Sequence, residues 1–185
     1  MPPIKFGMFP NTQGTPDGTG LVKMIQRAVA EAQAAERYDF DGAFLTEHHQ
    51  DPSGYLPAPL ITAAAVAAKT ERITIGTAVL LLPLYHPVQV AEQAAVVDLI
   101  SNGRLILGVG LGYQPEDFQT FGVPIEQRVS HFEEGIQILR GAWAQDNFSF
   151  SGRRFRVDDL SLSPKPVQQP APIWIGASSN PAVER

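Results

Sequence analysis

The chain has 185 residues, 44% of them hydrophobic and 18% charged, which is the profile of one folded domain with a substantial core. A net charge of -5 leaves no basic stripe for nucleic-acid phosphates, and the lack of cysteine excludes disulfides, thiolate metal sites and thiol nucleophiles. The opening MPPIKFGMFP has neither the basic region nor the long apolar run of a secretory signal, and Pro83 interrupts the most apolar stretch, TAVLLLPLY, so the expectation is a cytoplasmic protein that does not span a membrane.

Short β-rich runs alternate with longer helical ones. IKFGMF (4–9) reads as a first strand, followed by the turn-rich PNTQGTPDGTG. Over 21–38 the apolar positions Leu21, Met24, Ile25, Ala28, Val29, Ala32 and Ala35 fall on one helical stripe. DGAFLTE (41–47) is the second strand, and PLITAAAVAAKT (59–70) a small, apolar helix suited to packing against a sheet. RITIGTAVLLL (72–82) is the third strand, and residues 86–101 form the third helix, with Pro87 fit for its first turn. RLILGVGLG (104–112) is the fourth strand, and residues 125–145 contain the fourth helix.

The rhythm then changes. FSFSGRRFRV (148–157) predicts a hairpin around a Ser-Gly turn, and a Pro-rich connector leads to a fifth strand, IWIGAS (173–178). Strands alternating with helices imply parallel β/α units, and continuous apolar strands imply a sheet covered on both faces. An open doubly wound sheet and a (β/α)8 barrel both suit that pattern. Five units are too few for a closed barrel, which takes about 250 residues. The Gly-rich GVGLG follows the fourth strand without the later acidic residue of a dinucleotide site, and no phosphate-loop motif occurs, nor any metal-ligand pattern.

The stretch FLTEHHQ (44–50) places Glu47, His48 and His49 at a strand end. Alternation sends the two histidines to opposite faces, so one of them faces the mouth of a barrel. Periodicity leaves open which one, and a plain polar loop gives the same pattern.

Four landmarks in order, FDGAFLTEHH, ITIGTAVLLLPLYHPVQVAEQAAVVDLISNGRLILGVGLG, FEEGIQILRGAW and PAPIWIGASS, closely resemble the bacterial luciferase-like flavin-dependent monooxygenases. The resemblance runs from Ile4 to Glu184 and implies a TIM-type (β/α)8 barrel. About five of its eight strands are present in a single incomplete domain spanning 1–185, with the hairpin near 148–157 inserted. It implies reduced FMN, supplied by a separate flavin reductase, and O2. A small organic substrate is oxygenated through a flavin C4a-hydroperoxide.

By the same resemblance His48 is the general base or proton donor, oriented or buffered by Glu47 and His49. A non-proline cis peptide between Ala78 and Val79 forms a bulge under the flavin ring. Arg128 contacts the phosphate, with Ser178 and Ser179 opening a helix that favours an anion. Asp117 matches an acidic family position without a clear role, and His86 stands just before a helix. Gly108, Gly110 and Gly112 either leave room beside the ring or pack tightly. Two departures argue against light emission: Gly110 stands where the luciferase catalytic subunit has a reactive cysteine, and Leu111 where it has a phosphate-binding arginine.

Phe9, Tyr85, Tyr113 and Phe118 are candidates for an apolar pocket or for core. An open barrel edge implies a homo-oligomer or pairing with a missing C-terminal segment. On this reading the chain is the front part of a longer barrel, truncated or proteolysed, and inactive alone in one version. The alternatives are an F420-dependent hydride-transfer oxidoreductase of the same barrel family and a shortened, non-catalytic flavin-binding protein.

Overall fold

The computed structural model describes residues 3–14 and 20–177. Strand β1 (Gly7–Met8) is followed by α1 (Leu21–Arg37), β2 (Gly42–Leu45), α2 (Pro59–Ala67), β3 (Thr74–Thr77) and β4 (Leu80–Leu81). After a 3-10 turn at Leu82–Leu84 come α3 (Pro87–Ser101), β5 (Leu105–Gly110), α4 (Pro115–Phe121) and α5 (Arg128–Ala144). The hairpin β6 (Phe148–Ser151) and β7 (Arg156–Leu160) precedes β8 (Ile173–Ile175).

All pairings in the main sheet are parallel, in the order β1-β2-β3-β5, with β4 and β8 also on β5. Neighbours follow chain order, as in a barrel. A doubly wound sheet would reverse direction at a switch point. The strands form an open arc of a (β/α)8 barrel, and β6–β7 is an antiparallel appendage. Among the described residues no helix is long and apolar enough to cross a membrane.

The strand registers sort side chains onto two faces. Ala43, Leu45, Ile75, Leu107 and Val109 point outward and are buried under the helices. Phe44, Ile106 and Trp174 point inward, where Phe44 and Trp174 stack with centroids 5.5 Å apart. Glycines make room for Phe44: a Cβ at Gly42 or Gly76 would meet its ring at 2.7 or 2.5 Å. Trp174 is 54% exposed and Phe9 61%, so the inner face of the arc is open.

Two expected elements differ. The third strand is not continuous over 72–82 but divides into β3 and β4 at a cis Ala78–Val79 peptide. Helix α4 was absent from the expected series because seven residues are too short for apolar periodicity to register. Its punctuation was nonetheless present: Pro115 in the first turn, Glu116 and Asp117 beside it, and Gly122 in a left-handed cap with φ 72°. Strand β1 is also shorter than predicted, since only β2 pairs with it.

Buried and half-buried polar side chains staple the connections. The Arg104 guanidinium donates to the carbonyls of Ala67, Thr70, Ile73 and Ser101, satisfying the end of α2. Asp98 accepts from Gln168 N at 3.0 Å and from Gln168 Nε2 at 2.7 Å, tying the Pro-rich connector to α3. Glu134 accepts the backbone N–H groups of Arg153, Arg154 and Phe155, fixing the hairpin on α5. Glu36 does the same for Glu71, Arg72 and Ile73 ahead of β3.

Burial alone would raise both glutamates, but the backbone donors and nearby arginines overcome it and hold each below the usual carboxylate value. A depressed folded value means stability that is complete above the unfolded value near 4.5 and lost as pH falls through the folded one. Glu134→Gln is therefore expected to lower unfolding free energy at pH 7 by about 1–3 kcal/mol. Urea titrations should show that difference shrinking as pH drops below about 4.5.

Candidate active site

A cleft of about 530 Å3 opens at the carboxyl ends of β2, β4, β5 and β8, where barrels carry their ligands. It is walled by Thr46–His48, by Ala78, Val79 and Leu81, by the loop from Gly110 to Gln114, and by Asp117, Arg128, Gly176 and Ala177. Six of the expected residues therefore meet there: Glu47, His48, Ala78, Val79, Gly110 and Arg128.

His48 lies half-buried in the cleft wall. Its backbone N–H donates to Leu56 O at 3.0 Å, and its ring packs on Tyr55 with centroids 4.2 Å apart. Those two contacts fix the imidazole, which among the described residues makes no side-chain hydrogen bond. Sequence reasoning missed Tyr55. It stands seven residues along the chain, and no periodicity connects a loop aromatic to a strand end.

His49 turns away. Its Nε2 lies 2.6 Å from Glu47 Oε1, and its ring meets Phe121 edge-on at 4.7 Å, in a separate groove of about 320 Å3. The expected orientation of His48 by Glu47 and His49 is not what the geometry shows. Glu47 is fully engaged elsewhere, accepting the Tyr85 hydroxyl at 2.8 Å and the Leu81 N–H at 2.9 Å. Tyr85 thus lines the His49 groove rather than the cleft, and packs against the core. Burial foremost, then the Glu47 charge and hydrogen bond, push its hydroxyl far above the ordinary tyrosine value.

Arg128 opens α5 and donates to Ile125 O at 2.9 Å. Among the described residues no carboxylate lies within 4.0 Å of its guanidinium. A cation at a helix start, facing a cleft and without a carboxylate within 4.0 Å among the described residues, suits a bound anion. Asp117 also reaches the cleft, accepting from Gln50 Nε2 at 3.3 Å. Ser178 and Ser179 lie outside the described residues, although Gly176 and Ala177 lead to the cleft.

The glycines of β5 serve the chain itself rather than leaving space. A Cβ at Gly110 would meet Val79 Cγ2 at 2.5 Å, and one at Gly176 would meet Val79 Cγ1 at 2.8 Å. Gly108 faces the Thr77 carbonyl, and Gly112 takes φ 72° against Phe118. Both flanking glycines thus seat Val79. His86 lies against Phe155 at 5.5 Å, Phe118 is core, and Tyr113 is exposed at the cleft rim. A second hollow of about 540 Å3 lies at the amino ends, lined by Phe6, Phe44 and Trp174, and is the open inner face without any of the candidate groups.

A parallel β/α arc with a cleft at its carboxyl ends defines the class, and the comparisons define the family. The sequence model of the luciferase-like monooxygenases matches residues 4–185, so the chain belongs to that family. It is 34% identical over 196 residues to the FMNH(2)-dependent dimethylsulfone monooxygenase of Pseudomonas putida, covering 97% of this chain and 52% of that protein. It is 31% identical to the F420-dependent glucose-6-phosphate dehydrogenase of Nakamurella multipartita, covering 100% of this chain and 53% of the relative. The crystal structure of monooxygenase RslO1 from Streptomyces bottropensis superposes with a TM-score of 0.91 at 28% identity, over 97% of this chain and 55% of that one. The chain spans about half the length of the curated relatives it matches.

The Tyr85 geometry has a spectroscopic consequence. Its raised folded value stabilises the protein below the unfolded value of 10.0, and that contribution is lost as pH climbs beyond it. Tyr85→Phe should leave the alkaline phenolate absorbance of the folded protein unchanged. The wild type should release one further tyrosine only as it unfolds.

Proposed function

We propose that the cleft binds reduced FMN and that the protein oxygenates a small organic substrate with O2. The supporting observation is the convergence of His48, the Ala78–Val79 wall and the carboxylate-free Arg128 on one cleft. Its volume of about 530 Å3 suits a cofactor of that size. Val79, seated between Gly110 and Gly176, and Ala78 offer a small apolar wall for a planar ring. Arg128, whose guanidinium faces the cleft, would hold the phosphate.

Bound reduced flavin supplies the two electrons that let O2 place one oxygen in the substrate and the other in water. The chain's own residues position, shield and move protons. His48 holds or delivers a proton at its imidazole. Tyr55 keeps that ring in place. The reduced flavin comes from a separate reductase, since the sequence carries no dinucleotide fingerprint. The reading includes a cover for the exposed inner face, either a second copy or a further segment of chain.

A second reading uses the same cleft for the deazaflavin F420 and hydride transfer, supported by the F420-dependent relatives that match at similar identity. Anaerobic titration with reduced FMN and with F420 in parallel separates the two, and a chain that binds neither is not a holoenzyme. Arg128→Ala should weaken reduced FMN by about 10- to 100-fold, the worth of a charged hydrogen bond to phosphate. His48→Ala should leave that affinity nearly unchanged while lowering substrate oxygenation by about 100- to 10,000-fold. Equal loss of affinity and turnover in His48→Ala would remove the proton role.

A further inference from the structure

The third strand leaves its neighbour at the cleft. As far as Thr77 it pairs with β2, and the Ala78 N–H still donates to Leu45 O at 2.7 Å. Beyond that point β4 pairs with β5 alone. In the regular part of the ladder the Thr74 and Ala78 N–H groups face β2 and that of Ile75 faces β5, so alternation would turn the Leu81 N–H toward β5; it donates instead on the β2 side, to Glu47 Oε2 at 2.9 Å. The alternation is broken between Ala78 and Leu81, and a side chain just past the end of β2 accepts the N–H this leaves on the β2 side.

The other oxygen of Glu47 is equally occupied. Oε1 accepts the Tyr85 hydroxyl at 2.8 Å and sits 2.6 Å from His49 Nε2. The Leu81 N–H and the Tyr85 hydroxyl donate to the two oxygens, and His49 Nε2 joins them in its N–H tautomer, the pattern of a carboxyl that accepts on both oxygens. The Glu47 side chain is 0% exposed, and among the described residues no lysine or arginine pairs with it. A carboxylate so deeply buried is costly, and an apolar residue of similar size would pack at least as well. Packing alone therefore does not account for it.

We propose that Glu47 is a positioning residue: its carboxylate holds the Ala78–Leu81 wall of the cleft where a flavin ring must rest, and braces that wall on Tyr85 and His49 behind it. This rests on the flavin reading above. His48 then works on the cleft side, and the Glu47 network stabilises the surface it works against without touching it.

Three variants separate positioning from packing. Glu47→Ala removes the acceptor of the Leu81 N–H. Glu47→Asp keeps the charge but is one methylene too short to reach Leu81, Tyr85 and His49 together. Glu47→Gln can keep the Leu81 bond if its amide nitrogen faces Tyr85 and His49, both of which can switch to accepting.

The test uses the intact chain. Hydrogen exchange at the Leu81 amide and 15N shifts of the His49 ring are read without flavin, and reduced FMN affinity is read by anaerobic titration. In Glu47→Ala and Glu47→Asp the Leu81 amide should exchange about tenfold faster or more, and reduced FMN should bind about tenfold more weakly. Glu47→Gln should keep Leu81 protected, move the His49 proton from Nε2 to Nδ1, and bind reduced FMN within about threefold of wild type.

A lower melting temperature in all three variants with flavin affinity unchanged would overturn the proposal, leaving Glu47 a stability residue only. If the wild type takes up neither reduced FMN nor F420, the flavin reading fails by itself. Leu81 exchange then still decides whether Glu47 holds the wall, and unchanged exchange in Glu47→Asp overturns that too. Where Glu47→Ala does not fold, Glu47→Asp carries the same comparison.

Discussion

Parallel register across the arc decides where every other group in this protein can go. Because Leu45 stands opposite Thr77, and Leu81 opposite Gly110, the carboxyl ends of neighbouring strands arrive level with one another. The residues just past those ends then share one cleft, although they are scattered from position 46 to position 177 of the chain. Alternation does the rest: Ala43, Leu45, Ile75, Leu107 and Val109 anchor the outer face under the helices, so the strands cannot slip by one residue without exposing all of them.

The cleft is built by mutual accommodation around one short segment. Val79 needs the missing side chains of Gly110 and Gly176, and Leu81 needs the carboxylate of Glu47. Glu47 in turn engages Tyr85 and His49, so the wall is held from behind by groups that do not line the cleft's open side. His48 and Arg128 are left free of that network, one braced by Tyr55 and the other by the Ile125 carbonyl. Rigid wall and available polar groups are thereby separated, which is what a preorganised site requires.

Much of this was legible in the sequence. The β/α rhythm gave the strands and the longer helices because each carries a full period of apolar residues, and the Ser-Gly turn gave the hairpin. His48, Ala78, Val79 and Arg128 were reachable only through family resemblance, since a polar pair at a strand end or a Val in a buried strand looks the same in any fold. What could not be read was pairing at long range. Nothing near Glu47 in sequence points to Tyr85, 38 residues on, or to Leu81, 34 residues on. The glycines left two readings open, room beside the ring or tight packing, for a related reason: their sequence shows that space is needed beside β5 but not that Val79 fills it. Helix α4 escaped because it is identified by its ends rather than its middle.

The most direct test is an anaerobic crystal structure of the protein with reduced FMN. The account predicts the ring system against Ala78 and Val79, its phosphate within hydrogen-bonding distance of Arg128, and His48 facing the ring. Flavin seated instead on the open inner face beside Phe44 and Trp174, with the carboxyl-end cleft vacant, would contradict it.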